Sequence, residues 1–446
     1  MGKDIYEQLK GKKILILGFG REGKAAYRFI RKELPDQLLT IADRREIDTY
    51  GVNRAIVIKG EKYQEDLQKY DLILKSPGIV LEDKSPEVIQ RVTSQTELFL
   101  NAFSKQVIGI TGTKGKSTTA TLTYHILKQA HSNCLLMGNI GIPAFDLVDQ
   151  IDDDTLIVYE LSCHQLEYIH VSPHVAVLLN LFEEHLDHYG TYENYIYAKE
   201  NICRHQKAED VFICNILHQD DVKPLAAKVI TASLENNKAD LFVKDGVIHY
   251  GGTELLIRPE DSKLMGKHNV YNIGVAYVIC RHYGVSDQQF MEALATYEPL
   301  PHRLQKVGTY DGITFYDDSI STVGETAIQG LKSLRNVGTI LLGGMDRGVD
   351  YTDLAQYLLI SQVKNIVLMP DTDKRIQQLL SDFSEGTFNQ KNVLLAKDLK
   401  EAVQIAKKVT EKGEICLLSP AAASYGFFKN FEERGEFFQR YVKEEE

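Results

Sequence analysis

A chain of 446 residues is about three times the length of a typical domain, so two or three separately cored units are expected. Its 43% hydrophobic and 25% charged residues are those of an ordinary globular protein, and a formal net charge of −11 argues against a sequence-independent grip on nucleic acid or anionic lipid. Six cysteines without a C-x-x-C pair, no apolar signal core at the N-terminus and no apolar stretch near the ~20 residues of a membrane span predict a reduced, cytoplasmic protein without membrane contact.

The first expected element is a buried strand, Lys12 to Leu17, followed by Gly18-Phe19-Gly20-Arg21-Glu22-Gly23 and a helix from Lys24 to about Lys32. A second strand ends at Asp43, where a dinucleotide-binding fold places its ribose-binding carboxylate, and read alone this suggests NAD. A third, Leu72 to Leu74, runs into the tight turn Lys75-Ser76-Pro77-Gly78, whose free N–H groups and serine suit a phosphate. A helical stretch from Val88 to Leu98 closes this unit near residue 100.

Val107 to Thr111 is an apolar strand that breaks into Gly112-Thr113-Lys114-Gly115-Lys116-Ser117-Thr118 and then turns helical near Ser117. Strand, glycine turn and helix in this order predict a phosphate loop, with backbone N–H groups around the anion, Lys116 on the β/γ-phosphates and Ser117 on Mg²⁺. Ile110 stands where the strict motif has its first glycine, so the loop is a variant. The strand Thr155 to Tyr159 ends in Glu160, a carboxylate well placed for Mg²⁺. Val175 to Asn180 is the next strand, followed by Glu183-Glu184-His185-Leu186-Asp187-His188 and a helix over Tyr192 to Ile202 carrying Lys199. His185 and His188 invite a zinc reading, but without a third ligand His185 is better read as a polar organiser of the Mg²⁺-phosphate site. Gly266 to Asn272 opens a helix running to about His282, with Asn269 a possible cap.

Beyond Leu300-Pro301-His302-Arg303, strands are expected at Gly312 to Tyr316, Thr339 to Leu342, Lys364 to Met369 and Glu414 to Leu418, alternating with helices in a second doubly wound sheet. Their ends carry Asp317-Asp318-Ser319-Ile320-Ser321-Thr322, Gly343-Gly344-Met345-Asp346-Arg347-Gly348 and Ser419 to Ser424, with Phe431 just beyond.

Taken in order and spacing, Thr111 to Thr118, Gly138-Asn139-Ile140-Gly141, Glu160-Leu161-Ser162-Cys163-His164-Gln165-Leu166, His185-Leu186-Asp187 and Tyr195-Ile196-Tyr197-Ala198-Lys199 resemble the Mur ligases, which build the peptidoglycan stem peptide, and among them the glutamate-adding group. The resemblance runs over essentially the whole chain. It implies three α/β domains: a Rossmann-like UDP-sugar domain at 1–100, a phosphate-loop ATPase domain at 101–298, and a Rossmann-like domain for glutamate and ATP at 299–446. The activity implied is ATP-dependent addition of glutamate, D-glutamate ahead of L-glutamate, to UDP-N-acetylmuramoyl-L-alanine in cytoplasmic peptidoglycan synthesis, by a monomer.

By the same resemblance, the first unit binds a UDP-sugar instead of NAD, through Gly18, Phe19, Gly20, Asp43, Arg44, Ser76, Gly78 and Asn139. ATP falls to the loop residues Gly112 to Thr118 together with Asn272, His302, Arg303 and Asp318, and glutamate to Thr322, Arg347, Ser424 and Phe431. Lys116, Glu160, His185 and Lys199 are the implied catalytic set. Two Mg²⁺ ions are implied on Ser117, Glu160, His185 and Lys199, the last carbamylated by CO₂. Several positions depart from the family pattern: Glu184 where aspartate is more frequent, Cys163-His164 in place of a Ser-Phe pair, Ile320 where most D-glutamate-adding members have lysine, Val323 where asparagine is usual, and Arg347 in a segment where lysine is frequent. A nicotinamide oxidoreductase leaves Lys116 and Glu160 unexplained, and a phosphate-loop switch leaves the second sheet with Arg347 and Ser424 unexplained.

Overall fold

The computed structural model describes residues 3–47, 51–222, 226–264, 266–384 and 391–444. The chain divides into two compact units, Met1–Ser262 with His268–Tyr297, and Lys263–Lys267 with Glu298–Glu446. The first carries two sheets and the second carries one, each largely parallel, so the α/β class expected from the sequence is borne out.

The first sheet comprises β1 (Ile14–Leu17), β2 (Leu39–Asp43), β3 (Ala55–Lys59), β4 (Leu72–Lys75) and β5 (Val92–Thr93), all parallel, in the order β3-β2-β1-β4-β5. Every residue of β1 and β2 is buried, as expected of strands covered on both faces. The chain winds one way from β1 and then returns to its other side, so the carboxyl ends of β1 and β4 flank a topological switch point, where such sheets bind ligands.

Residues 88–98 do not form the single helix expected there. A short helix at Pro86–Ile89 gives way to β5, which pairs with Ile73 and Leu74, and a new helix starts at Gln95. Two features break the helix: the β-branched pair Val92-Thr93 favours extended backbone, and Ser94 accepts a hydrogen bond from the Glu97 N–H as an N-cap.

The second sheet comprises β6 (Val107–Thr111), β7 (Cys134–Gly138), β8 (Leu156–Glu160), β9 (Val175–Leu178), β10 (Val211–Asn215), β11 (Lys228–Ser233), β12 (Leu241–Lys244), β13 (Val247–Tyr250) and β14 (Thr253–Leu256). Its order is β14-β13-β12-β11-β10-β9-β6-β8-β7, parallel up to β12, with β13 and β14 added as antiparallel strands. β6 lies between β8 and β9, with Ile110 opposite Glu160 and Thr111 opposite Leu178. The ends of three strands therefore converge at the phosphate loop.

The third sheet, in the second unit, comprises β15 (Gln305–Tyr310), β16 (Ile313–Asp317), β17 (Val337–Gly344), β18 (Asn365–Asp371), β19 (Asn392–Leu395) and β20 (Ile415–Leu418) in the order β15-β16-β20-β17-β18-β19. The four expected strands are all present. β15 and β19 extend the sheet at its two edges, and only β15 is antiparallel.

Candidate active site

Gly112 and Gly115 lie in the left-handed half of backbone space, at φ +153° and +85°. A Cβ on Gly112 would stand 3.0 Å from Leu179 Cβ, and one on Gly115 would stand 2.8 Å from Asn272 Oδ1, so conformation and space both call for glycine. Immediately after Gly115 the helix Lys116–His131 begins, presenting its unpaired N–H groups at the loop. Asn180, at the end of β9, pins the turn: its carbonyl accepts from Thr113 N at 2.9 Å, its Oδ1 accepts from Lys114 N at 2.8 Å, and its Nδ2 donates to the Lys114 carbonyl at 3.0 Å. Lys116 Nζ donates to the carbonyls of Gly112 and Thr113, both at 2.9 Å. Burial lowers the pKa of this ammonium, although Glu160 and Glu184 pull it the other way.

Glu160 is fully buried. Its Oε1 accepts from Asn139 Nδ2 at 2.8 Å, while its Oε2 is buried and has no hydrogen-bond partner. A buried carboxylate oxygen without a donor is costly unless a cation meets it, and oxygen is what Mg²⁺ takes. Lys199, also buried, donates to the Gly112 carbonyl at 2.9 Å and to Thr111 Oγ1 at 3.4 Å. Burial, reinforced by the neighbouring Lys116 charge, lowers its pKa to about 7. Lys116, Lys199 and Asn272 thus all meet the glycine loop, with Glu160 paired to Lys116 electrostatically. Asn269 does not cap its helix from outside: the helix starts at Lys267, and Asn269 Oδ1 accepts from Asn272 Nδ2 at 3.0 Å.

His185 sits at φ +59° ahead of the short helix Leu186–Tyr189, with its ring 4.8 Å from that of His164 and 6.4 Å from that of Tyr195. Tyr195 in turn shares a 2.8 Å hydrogen bond with Thr113 Oγ1. Burial, then His185, His188 and Lys75, push His164 down to about 4, so its ring is neutral. Lys114 and Glu184 form an ion pair at 2.7 Å.

At the switch point of the first sheet, Ser76 Oγ donates to the Gly18 carbonyl at 2.8 Å, and a Cβ on Gly18 would strike Ser76 Cβ at 2.8 Å. Both glycine turns expected to meet a phosphate therefore touch. Asp43 is turned inward, with one carboxylate oxygen accepting from Phe19 N at 2.8 Å and the other from Arg45 N at 2.9 Å. Burial pushes its pKa up, but these N–H groups and the Arg45 guanidinium outweigh it and leave the net value lowered. Asp43 thus holds the turn, while Arg44 is exposed and paired with Glu61. Arg21, absent from the expected set, lies against the Gly138-Asn139-Ile140-Gly141 turn after β7: a Cβ on Gly141 would stand 2.8 Å from Arg21 Nη1.

In the second unit the three expected strand-end segments meet one another. The backbone N–H of Met345 donates to the Ala423 carbonyl at 2.9 Å, Ser319 Oγ donates to the Phe431 carbonyl at 2.8 Å, and Ser419 Oγ donates to Asp318 Oδ2 at 2.8 Å. Burial raises Asp318 to about 7. His302 Nδ1 is 2.7 Å from Asp317 Oδ2; burial opposes charge on the ring, but the Asp317 carboxylate outweighs it and raises the His302 pKa. Arg303 has its Nε buried without a partner, Ser424 is buried, Thr322 and Phe431 are half-buried, and Arg347 is exposed. Arg434, which the sequence reading missed, is buried and donates to Ser319 Oγ, the Ser319 carbonyl and the Ala422 carbonyl at 3.0, 2.7 and 2.9 Å. Its only sequence signal was its place one turn into the last helix.

Fold and site define a multidomain α/β enzyme built around a glycine loop between β6 and the helix Lys116–His131, with further glycine turns at the ends of parallel strands. The model of the Mur ligase middle domain matches residues 110–280, and that of the Mur ligase glutamate ligase domain matches residues 302–422. The chain is 35% identical over 464 residues to the UDP-N-acetylmuramoylalanine–D-glutamate ligase of Lactobacillus delbrueckii subsp. bulgaricus, covering 98% of each. It is 32% identical over 460 residues to the protein of the same name from Clostridium kluyveri, covering 99% of this chain and 98% of that one. In fold it is similar to the UDP-N-acetylmuramate-alanine ligase MurC of Thermotoga maritima (TM-score 0.61, 18% identity, 96% of this chain and 99% of that one) and to the MurF ligase of Thermotoga maritima in complex with ADP (TM-score 0.57, 17% identity, 98% and 96%). This chain belongs to the Mur ligase family and is an ATP-dependent ligase. The family uses ATP and Mg²⁺, and the unpartnered Glu160 oxygen beside the loop fits such a cation.

Proposed function

We propose that this protein adds D-glutamate to UDP-N-acetylmuramoyl-L-alanine in the cytoplasm, as a monomer with domains at 1–100, 101–298 and 299–446. The carrying observation is the convergence of Lys116 and Lys199 on one glycine loop beside the buried, half-satisfied Glu160 carboxylate. The terminal carboxylate of the UDP-sugar attacks the γ-phosphorus of ATP, giving an acyl phosphate and ADP. The glutamate amine then attacks the acyl carbon, and phosphate leaves from the tetrahedral intermediate as the amide forms.

Lys116 and the N–H groups of residues 112–118 offer fixed positive charge to the transferring phosphoryl group, where preorganised donors matter most. Ser117, Glu160, His185 and carbamylated Lys199 would hold two Mg²⁺ ions, which when bound would neutralise charge on the phosphates. The carbamate forms when the free Lys199 amine attacks the carbon of CO₂ and releases its proton to solvent. A pKa of about 7 leaves much of this amine free at neutral pH, whereas an ordinary lysine would be almost wholly charged.

Asn272, His302, Arg303 and Asp318 complete the proposed nucleotide set, and Thr322, Arg347, Ser424 and Phe431 the glutamate set. Arginine suits a dicarboxylate because its planar fork pairs with one carboxylate bidentately. On the UDP-sugar side, Gly18, Phe19, Gly20, Ser76, Gly78 and Asn139 line the proposed site with Arg44, and Asp43 holds the first turn in place. L-glutamate is the second reading, favoured by Ile320 where D-glutamate-adding relatives usually have lysine, and by Arg347 where lysine is frequent. Purified protein given the UDP-sugar, ATP and either glutamate enantiomer, with product read by mass, tests the proposal. Phosphate release must depend on both the UDP-sugar and the amino acid, and release that ignores either one overturns the reading.

A further inference from the structure

Cys163, His164 and His185 come together beside the phosphate loop, and the first two have no part in the ligase chemistry above. Cys163 Sγ and one nitrogen from each imidazole all lie within 4.8 Å of one another. Cys163 and His164 open the short helix Cys163–Leu166 after β8, while His185 arrives from the loop after β9, so segments about twenty residues apart in sequence supply the set. The Cys163 sulfur is 3.5 Å from His164 Nδ1, and the His164 and His185 rings are nearly perpendicular at 75°.

A tetrahedral zinc with ligands at ~2.0–2.3 Å holds its donor atoms about 3.5 Å apart. The Cys163–His164 pair already has that spacing, and His185, the exposed member of the trio, has only about 1 Å to close. On the far side His188 packs at 88° to the His164 ring, with centroids 4.5 Å apart, and its Nε2 is 3.1 Å from Glu167 Oε2. His164 is thus packed against a histidine that is itself held by Glu167.

The donor chemistry separates this trio from the Mg²⁺ ligands. Mg²⁺ takes oxygen, whereas one thiolate and two imidazoles form a borderline-soft set that suits zinc. We propose that Cys163, His164 and His185 bind a zinc-class divalent cation, with water completing a tetrahedral set and the Cys163 thiol releasing its proton to solvent on binding. Since His185 also belongs to the proposed Mg²⁺-phosphate site, a zinc-class ion here inhibits ligation. That consequence rests on the proposed function, whereas the binding itself does not.

The test uses the full-length protein, freed of metal by chelation and titrated with Co²⁺ as the spectroscopic probe, without ATP or either substrate. Expected is a saturable thiolate-to-cobalt charge-transfer band with the strong visible bands of four-coordinate cobalt, displaced by Zn²⁺ and not by excess Mg²⁺. Cys163→Ser should abolish the charge-transfer band, and His164→Phe should weaken cobalt binding at least ~10-fold. A band that survives in Cys163→Ser would assign the metal to another cysteine and overturn the proposal. Absence of any band in the unsubstituted protein overturns it too, independently of whether a variant folds. Because no substrate is present, failure of the ligase reading leaves this result interpretable.

Discussion

Asn139 donates its side-chain amide to Glu160 Oε1 at 2.8 Å, and the backbone N–H of Asn139 donates to the Glu160 carbonyl at 2.9 Å, so one residue orients the carboxylate by two bonds. The other carboxylate oxygen is buried without a hydrogen-bond partner, as the proposed Mg²⁺ site requires. Partners of this kind typically account for 10–100-fold in metal affinity or activity. Asn139→Ala is therefore expected to raise the Mg²⁺ concentration needed for half-maximal activity by roughly 10-fold or more. A Mg²⁺ titration of initial rates checks this, and an unchanged midpoint would show that Asn139 does not orient the carboxylate.

Lys116 donates its side-chain hydrogen bonds to the loop that it would serve, through two carbonyls at 2.9 Å. Lys116→Ala should abolish turnover while UDP-sugar affinity stays within about two-fold, because the interaction lost belongs to phosphoryl transfer. Calorimetric titration of the variant with UDP-N-acetylmuramoyl-L-alanine separates the two effects. A parallel loss of affinity would mean that the loop serves a different ligand.

The placement of Lys199 predicts an unusual pH profile for the proposed carbamate. With a pKa of about 7, roughly a tenth of the amine is free at pH 6 and roughly nine tenths at pH 8. At fixed dissolved CO₂, recovery of activity by enzyme that has lost its carbamate should rise steeply over that interval and then level off. An ordinary lysine would go on gaining reactivity past pH 9 or so. Carbon-13 NMR with labelled bicarbonate, followed against pH, reads the modification directly. A fully active, metal-loaded enzyme with an unmodified Lys199 ammonium would refute it.

The parallel strands were legible because burial on both faces writes them as unbroken apolar runs, as in Ile14–Leu17 and Val107–Thr111. The phosphate loop was legible because its glycines answer a local backbone demand. Three hairpins escaped, although their signal is equally local. Asp245-Gly246, Gly251-Gly252 and Asp311-Gly312 all have φ above +50° or close to it, as a two-residue turn of type I′ requires. What no local pattern carries is juxtaposition across the chain. Asn180 holds Lys114 from 66 residues away, and Arg434 reaches Ser319 from 115. The meeting of His185 with Cys163 and His164, where the sequence suggests only a His185/His188 pair, likewise arises only once β8 and β9 lie on either side of β6.

Glu22, in the first glycine turn, is half-buried, with Oε1 bonded to Gln165 Nε2 at 2.7 Å and a buried, unpartnered Oε2. Burial raises its pKa from 4.5 to about 7, against the smaller pulls of Gln165 and Lys75. Between those two values the native state binds more protons than the unfolded chain, so this group's contribution to stability falls as pH rises. Above neutrality the whole cost is present, of order 3 kcal/mol. Glu22→Gln should accordingly raise the melting temperature relative to the parent protein more at about pH 8.5 than at about pH 5. Calorimetric scans at both values measure the difference, and an equal shift at both would mean that Glu22 is not protonated in the native state.

The stereochemistry of the proposed glutamate site is open to a direct test. Ile320 is apolar where the resemblance to D-glutamate-adding ligases implies an ammonium, and its N–H is taken by the His302 carbonyl at 3.2 Å. Arg434 donates to Ser319 in the Asp317 to Thr322 segment and to Ala422 in the Ser419 to Ser424 segment, so the two segments are tied rigidly together. A chiral dicarboxylate presented to rigid donors can satisfy both carboxylates in only one hand. The other hand leaves a buried charge unpaired, at a cost of about 3 kcal/mol. One enantiomer, D-glutamate on the proposal above, should therefore be preferred at least ~100-fold in kcat/KM. Competition between isotopically distinguished enantiomers, with the product ratio read by mass, gives the number. Near-equal use would remove the rigid two-carboxylate clasp, whereas a large preference for L-glutamate would preserve the clasp and reverse the assignment of substrate.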